Sequence, residues 1–219
     1  LSCGTIWVHG HTTEVPTTED QPRVPFGEYG TKKAAIESLL MKTAHAKGFP
    51  ATVLHPGHIV GPGWAPLNPA GHFDPAVFTA LAKGDLLTLP NLGLETVHHV
   101  HADDVAQSFM LAMARRSVSV GESFHVVSPR ALTLRGYAEA VAGWFGQKAD
   151  LRFMPWEQWR DTISKETAAM TWDHIAHSPC ASIDKASRMI GYSPRYSSLE
   201  AVREAVQWLA AEGIIGVQL

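Results

Sequence analysis

Apolar residues recur with a helical period in some stretches and in short unbroken runs in others. Over 29–47, Ala35, Ile36, Leu39 and Leu40 fall at helical spacing among Lys32, Glu37 and Lys42, and Gly48 follows. That pattern predicts an amphipathic helix ended by glycine. Residues 51–54 (ATVL) are an apolar run ahead of Pro56 and Gly57, as a buried strand entering a loop would be. Segment 11–28 carries Thr, Pro and Glu without period, and 61–75 is proline-rich, so both read as loops. Downstream, 75–83 predicts a helix closed by Gly84, 86–89 a short strand and 96–101 (TVHHVH) an extended segment. Asp103 or Asp104 is the expected cap of a helix to about Arg116, with Val105, Phe109, Met110 and Met113 on one side. A strand over 123–127 follows. Thr133 then caps a helix to Phe145 that Gly146 stops. The rest reads as a strand at 151–154, helices at 156–163 and 182–190, and a last helix capped by Ser197 or Ser198.

Strands alternating with helices predict an α/β chain with a largely parallel sheet. The last third is mostly helical and Trp-rich, and reads as a smaller lobe. Composition narrows the function. The 219 residues carry 18 Lys and Arg against 21 Asp and Glu, a net charge of −3, which argues against a basic nucleic-acid surface. No apolar run approaches the ~18 residues of a membrane-spanning helix. Cys3 and Cys180 are no disulfide framework, and a reducing, cytoplasmic setting is expected.

The sharpest chemistry lies in Tyr29-Gly30-Thr31-Lys32-Lys33. Tyr29 and Lys33 are four apart at a helix start and share one face. A phenol near pKa 10 is a poor acid or base at neutral pH, and a neighbouring ammonium would lower it. Such a pair suits proton transfer to or from a substrate hydroxyl. His98, His99 and His101, followed by Asp103 and Asp104, invite a metal reading, but no metal site is assigned. Trp144, Trp156, Trp159 and Trp172 are expected to pack the smaller lobe.

Five phrases, in order, resemble the extended short-chain dehydrogenases/reductases, the NAD-dependent epimerase/dehydratase family. Thr5 to Gly10 (TIWVHG) is similar to the strand end that carries the family's catalytic Ser or Thr. Tyr29 with Lys33 matches its Tyr-Lys pair, and VLHPGHIVGPG its loop beside the nicotinamide. HADDVA resembles its His-Val-Asp-Asp-Val-Ala element, and DKA followed by IGYSP its near-C-terminal phrase. The resemblance implies the C-terminal part of a Rossmann-like parallel sheet plus a mostly helical substrate lobe. It divides the chain into a partial dinucleotide-binding domain over 1–62 and 97–130 and a substrate lobe over 63–96 and 131–219. It also implies NAD or NADP as cofactor and a small-molecule substrate with a hydroxyl or carbonyl. Thr5, Tyr29 and Lys33 would be catalytic, Tyr29, Lys33, Pro56 and Gly57 would contact the cofactor, and Thr5 and His58 the substrate. Family members pair through the Tyr-Lys helix, so a homodimer through 29–47 is expected. A simple ketone or alcohol reductase, or a non-catalytic dinucleotide sensor of the same fold, are the alternatives.

Two departures qualify the resemblance. No glycine-rich strand-to-helix turn for pyrophosphate is present, and Pro66 and Pro69 exclude a helix directly after Gly61-Pro62-Gly63. The expectation is that roughly a hundred further residues, four strands among them, pair along the edge next to Thr5 in the functional protein. The family's nucleotide-sugar members also place an arginine near position 97, where this chain has Val97. Without that bidentate phosphate partner, a strong nucleoside diphosphate site is not expected.

Overall fold

The computed structural model describes residues 1–219, which divide into two compact units. Unit 1 comprises Leu1–Ile59, His98–Ala131 and Pro179–Ser198; unit 2 comprises Val60–Val97, Leu132–Ser178 and Leu199–Leu219.

In unit 1, β1 (Ser2–Cys3), β2 (Val53–Pro56) and β7 (Ser123–Val126) form a parallel sheet in the order β1-β2-β7. Every residue of β2 and β7 is buried, the polar His55, Ser123 and His125 included, as in a parallel sheet covered on both faces. Helix α1 (Gly27–Lys47) ends at Gly48, whose left-handed φ of 65° lets its N–H reach the Ala44 carbonyl. Helix α3 (Ala102–Ala114) runs into the single turn α4 (Arg116–Ser119). The cap of α3 is His101, whose Nδ1 accepts the Asp103 N–H, rather than either aspartate. Asp104 instead lies in the first turn, buried, and its carboxylate takes the backbone N–H groups of Arg195 and Tyr196. Strands β3 (His58–Val60) and β6 (His99–His101) pair separately, so the stretch after Pro56 is a strand where a loop was expected.

Unit 1 also takes in Pro179–Ser198, part of the stretch 131–219 grouped by sequence with the smaller lobe. The reason is packing. Helix α8 (Asp184–Ile190) puts Ala186 and Ile190, followed by Tyr192, into the core formed by Leu54, Val100, Phe124 and Val126. Tyr192 donates its hydroxyl to the Val127 carbonyl and Lys185 its ammonium to that of Ser123.

Unit 2 joins β4 (Leu87–Pro90) to β9 (Leu151–Met154) in parallel, and β5 (Thr96–Val97) to β8 (Leu132–Thr133) antiparallel. Helices α2 (Ala76–Lys83) and α5 (Leu134–Trp144) pack together, and Thr133 caps α5 through the Gly136 N–H as its sequence predicts. The 156–163 helix is shorter than expected: α6 (Trp156–Trp159) gives way to a 3₁₀ turn over Arg160–Thr162. A further helix, α7 (Lys165–His177), starts at the Ser164 cap, and α9 (Ser198–Ala211) comes last. Trp159 is buried with its indole N–H on the Thr88 carbonyl, whereas Trp156 and Trp172 wall an open cleft of about 520 Å³ with Arg160 and Lys165.

Candidate functional site

All of the site residues anticipated from sequence lie in unit 1. β1 ends at Cys3, and Thr5 follows in extended conformation (φ −161°) as cap of a 3₁₀ turn over Ile6–His9. Its Oγ1 accepts the Trp7 N–H at 3.3 Å. Tyr29 stands in the first turn of α1, half-exposed at 52%, with its ring edge-on to Trp7 at 5.9 Å. One helical turn later, the Lys33 ammonium lies 5.7 Å from the Tyr29 ring centroid and donates to the Cys3 carbonyl at 2.8 Å. Thr5, Tyr29 and Lys33 therefore converge on the end of β1.

The Tyr29 pKa is raised above the ordinary phenol value. Burial is the main cause, the nearby Cys3 adds to it, and hydrogen bonding to Thr5 pulls partly back. The net direction is upward, against the lowering expected beside an ammonium, because burial of the phenol is the leading influence. In the free protein the phenol is held as the acid.

Pro56 ends β2, and Gly57 donates its N–H to the Val126 carbonyl. Only glycine fits there, since a Cβ would stand 2.3 Å from the His98 carbonyl oxygen. His58 is partly exposed, edge-on to Trp7 at 6.2 Å and 5.9 Å from the His99 ring. Through Trp7, His58 and Tyr29 are thus neighbours of one indole. The histidines of 98–101 have other partners. His98 sits between the Ser128 carbonyl on Nε2 (2.8 Å) and the Ala181 N–H on Nδ1 (3.1 Å), and His101 stacks on Tyr196.

A second set of buried polar groups was not anticipated from sequence. Arg23, from the loop before α1, reaches both carboxylate oxygens of Glu37 at 2.8 and 3.3 Å and the Ser123 hydroxyl at 3.1 Å. Glu37 is buried and also meets Nε2 of the fully buried His55 at 3.1 Å. Burial by itself would raise the Glu37 carboxyl, but hydrogen bonds from His55 and Arg23 carry it well below the usual carboxylate range. Alongside, His9 and His125 share a 2.9 Å Nε2–Nε2 contact, and the Glu19 carboxylate accepts the His125 N–H on the outer edge of β7. Separations of 14, 18 and 116 positions explain why no local spacing exposed these pairings.

The fold has many solved counterparts. A UDP-glucose 4-epimerase of Thermotoga maritima, solved with UDP-glucose, is 20% identical with a TM-score of 0.71; the match covers 96% of this chain and 62% of that one. A dTDP-glucose 4,6-dehydratase of Bacillus anthracis, in complex with NAD, is 18% identical with a TM-score of 0.74, covering 97% and 61%. A UDP-glucuronic acid 4-epimerase of Bacillus cereus, in complex with UDP-glucuronic acid and NAD, is 18% identical with a TM-score of 0.70, covering 96% and 60%. The chain thus spans about three-fifths of the length of these structures. At these identities the likeness establishes the Rossmann-like α/β fold. No curated protein matches the sequence. Residues 1–126, more than half of the chain, match the NAD dependent epimerase/dehydratase family, and the chain belongs to that family.

Proposed function

We propose that this chain carries the proton-transfer centre of an NAD(P)-dependent epimerase, dehydratase or reductase acting on a hydroxyl or carbonyl of a small, sugar-like molecule. The observation that supports it is the convergence of Thr5, Tyr29 and Lys33 at the end of β1, with Lys33 fixed to the Cys3 carbonyl at 2.8 Å. In this reading the Tyr29 hydroxyl gives or takes the substrate proton, and Thr5 Oγ1 holds the same substrate oxygen beside it. The raised phenol pKa keeps Tyr29 protonated at neutral pH, ready to act as the acid. Lys33 keeps two further N–H donors beyond the one on Cys3, which suits the vicinal hydroxyls of a nicotinamide ribose. In this reading Pro56 and Gly57, at the end of β2, would border the nicotinamide, and His58 would meet the substrate. The bound nicotinamide supplies the hydride acceptor and donor.

The substrate is not a tightly held nucleotide-sugar. Val97, where an arginine would grip a diphosphate, is fully buried in β5. The protein acts in the cytoplasm, in keeping with its two free cysteines, and pairs through α1, where Ile36 and Leu39 are exposed. Tyr29→Phe in the intact protein tests the central claim, because it removes one hydroxyl from a half-exposed ring and leaves the packing alone. Turnover with a panel of sugars and ketones should fall by orders of magnitude. Turnover within threefold of the parent would defeat the assignment, and would favour a sensor that binds the dinucleotide without reacting.

A further inference from the structure

Helix α1 meets the end of β1 at two heights. Tyr29, Lys33 and Glu37 are each four apart and so form one stripe of the helix. Lys33 holds the Cys3 carbonyl directly. Glu37 acts at one remove: its carboxylate meets His55 Nε2 at 3.1 Å, and the Thr5 backbone N–H donates to His55 Nδ1 at 3.0 Å. The geometry fixes the tautomer. Nδ1 accepts and carries no proton, so the proton sits on Nε2 and goes to Glu37. A second proton on Nδ1 would confront the Thr5 N–H. Arg23 in turn holds both Glu37 oxygens and ties the carboxylate to the loop that precedes α1. Even the neighbouring glycine belongs to the arrangement, since a Cβ on Gly4 would lie 2.3 Å from His55 Nδ1.

We propose that His55, oriented by Glu37 and Arg23, is the positioning residue of the proton-transfer site, holding Thr5 by its backbone N–H so that the Thr5 hydroxyl faces Tyr29. This rests on Thr5 being the group that holds the substrate oxygen. His55 is fully buried, so its role is to place Thr5 and not to meet substrate. A short side chain can imitate one ring nitrogen at a time: asparagine places an acceptor near the position of Nδ1, and glutamine places a donor near that of Nε2. The inference therefore separates two isosteres that a general packing role would treat alike.

The test uses ¹⁵N-labelled intact protein. In the parent, an N–H···N hydrogen bond gives a through-bond ¹⁵N–¹⁵N coupling between Thr5 and His55 Nδ1, with Nδ1 resonating as an unprotonated nitrogen. Absence of that coupling overturns the proposal whatever the variants do. His55→Asn should keep Thr5 amide exchange and the Tyr29 titration near those of the parent. His55→Gln should free the Thr5 amide, raise the Tyr29 titration further and slow the chemical step about tenfold or more at unchanged KM for the cofactor. Equal behaviour of the two folded variants also overturns it. Failure of the catalytic reading looks different: Tyr29→Phe would retain turnover while the coupling and the amide protection by His55 persisted.

Discussion

Mild acid should destabilise this protein well before its carboxylates titrate, because several histidines are folded in a form that resists protonation. Burial is the leading cause in each case. It lowers His98 to about 4 against the Ser128 hydrogen bond, His9 to about 4 with help from the Arg23 charge, and His174 to about 4 against its bond to the Met170 carbonyl. For His98 the geometry agrees, since Nε2–H is used on Ser128 and Nδ1 already faces the Ala181 N–H. An unfolded histidine titrates near 6.5, so between 6.5 and 4 the unfolded chain holds more protons. Stability is therefore fully present above about 6.5 and falls as pH drops through that window. At pH 5 each histidine lowered to about 4 removes about 2 kcal/mol, so His9 and His98 take about 4 from unit 1 and His174 about 2 from unit 2, and His125 in unit 1 and His72 in unit 2, also lowered by burial, add to these losses. Urea denaturation followed by tryptophan fluorescence at pH 7.5 and pH 5 measures the loss. His98→Asn, which keeps an acceptor for Ala181 but cannot titrate, should flatten the difference by about 2 kcal/mol. Stability that changes by less than about 1 kcal/mol between the two conditions would refute the reasoning.

Other outcomes follow from the same structure. Calorimetric titration of the intact protein with uridine or thymidine diphosphate should show at best weak binding, and sub-micromolar affinity would reverse the inference drawn from Val97. Light scattering should find a dimer, and Ile36→Glu with Leu39→Glu should dissociate it while leaving the far-UV circular dichroism unchanged; a monomeric parent would count against the α1 interface. Gly10→Ala should cost several kcal/mol in urea denaturation, as the residue sits at φ +71° and a Cβ would meet the Val24 carbonyl oxygen at 2.0 Å; a change under about 1 kcal/mol would show that the loop yields.

What the sequence disclosed follows from how local each signal is. Gly48 and Thr133 announce the ends of α1 and α5 because a left-handed stop and a hydroxyl cap act within four residues. The Tyr29–Lys33 spacing was legible for the same reason. Helix α7 was not, because its buried face carries Thr171, His174 and His177 beside Ala168 and Ile175, and a polar inward stripe has no hydrophobic period. The Arg23–Glu37–His55 set was hidden in another way: each residue reads alone as a surface charge or a loop histidine, and only the fold brings them together. The direction of the Tyr29 shift was not legible, because burial, its leading cause, is set by the fold and not by the Tyr29–Lys33 spacing.

The chain passes from one unit to the other five times, after residues 59, 97, 131, 178 and 198. A segment cut from the gene therefore never encodes either unit whole. Diversification by exchanging an intact cassette, as happens between proteins strung on linkers, is closed to this architecture. New specificity must enter as insertions and substitutions between fixed crossing points, while the sheet and the Tyr29 helix stay as they are. For the engineer, a chimera with a single junction would splice two incompatible half-cores, whereas grafting the stretches 60–97, 132–178 and 199–219 together keeps each unit's hydrophobic interior from one parent.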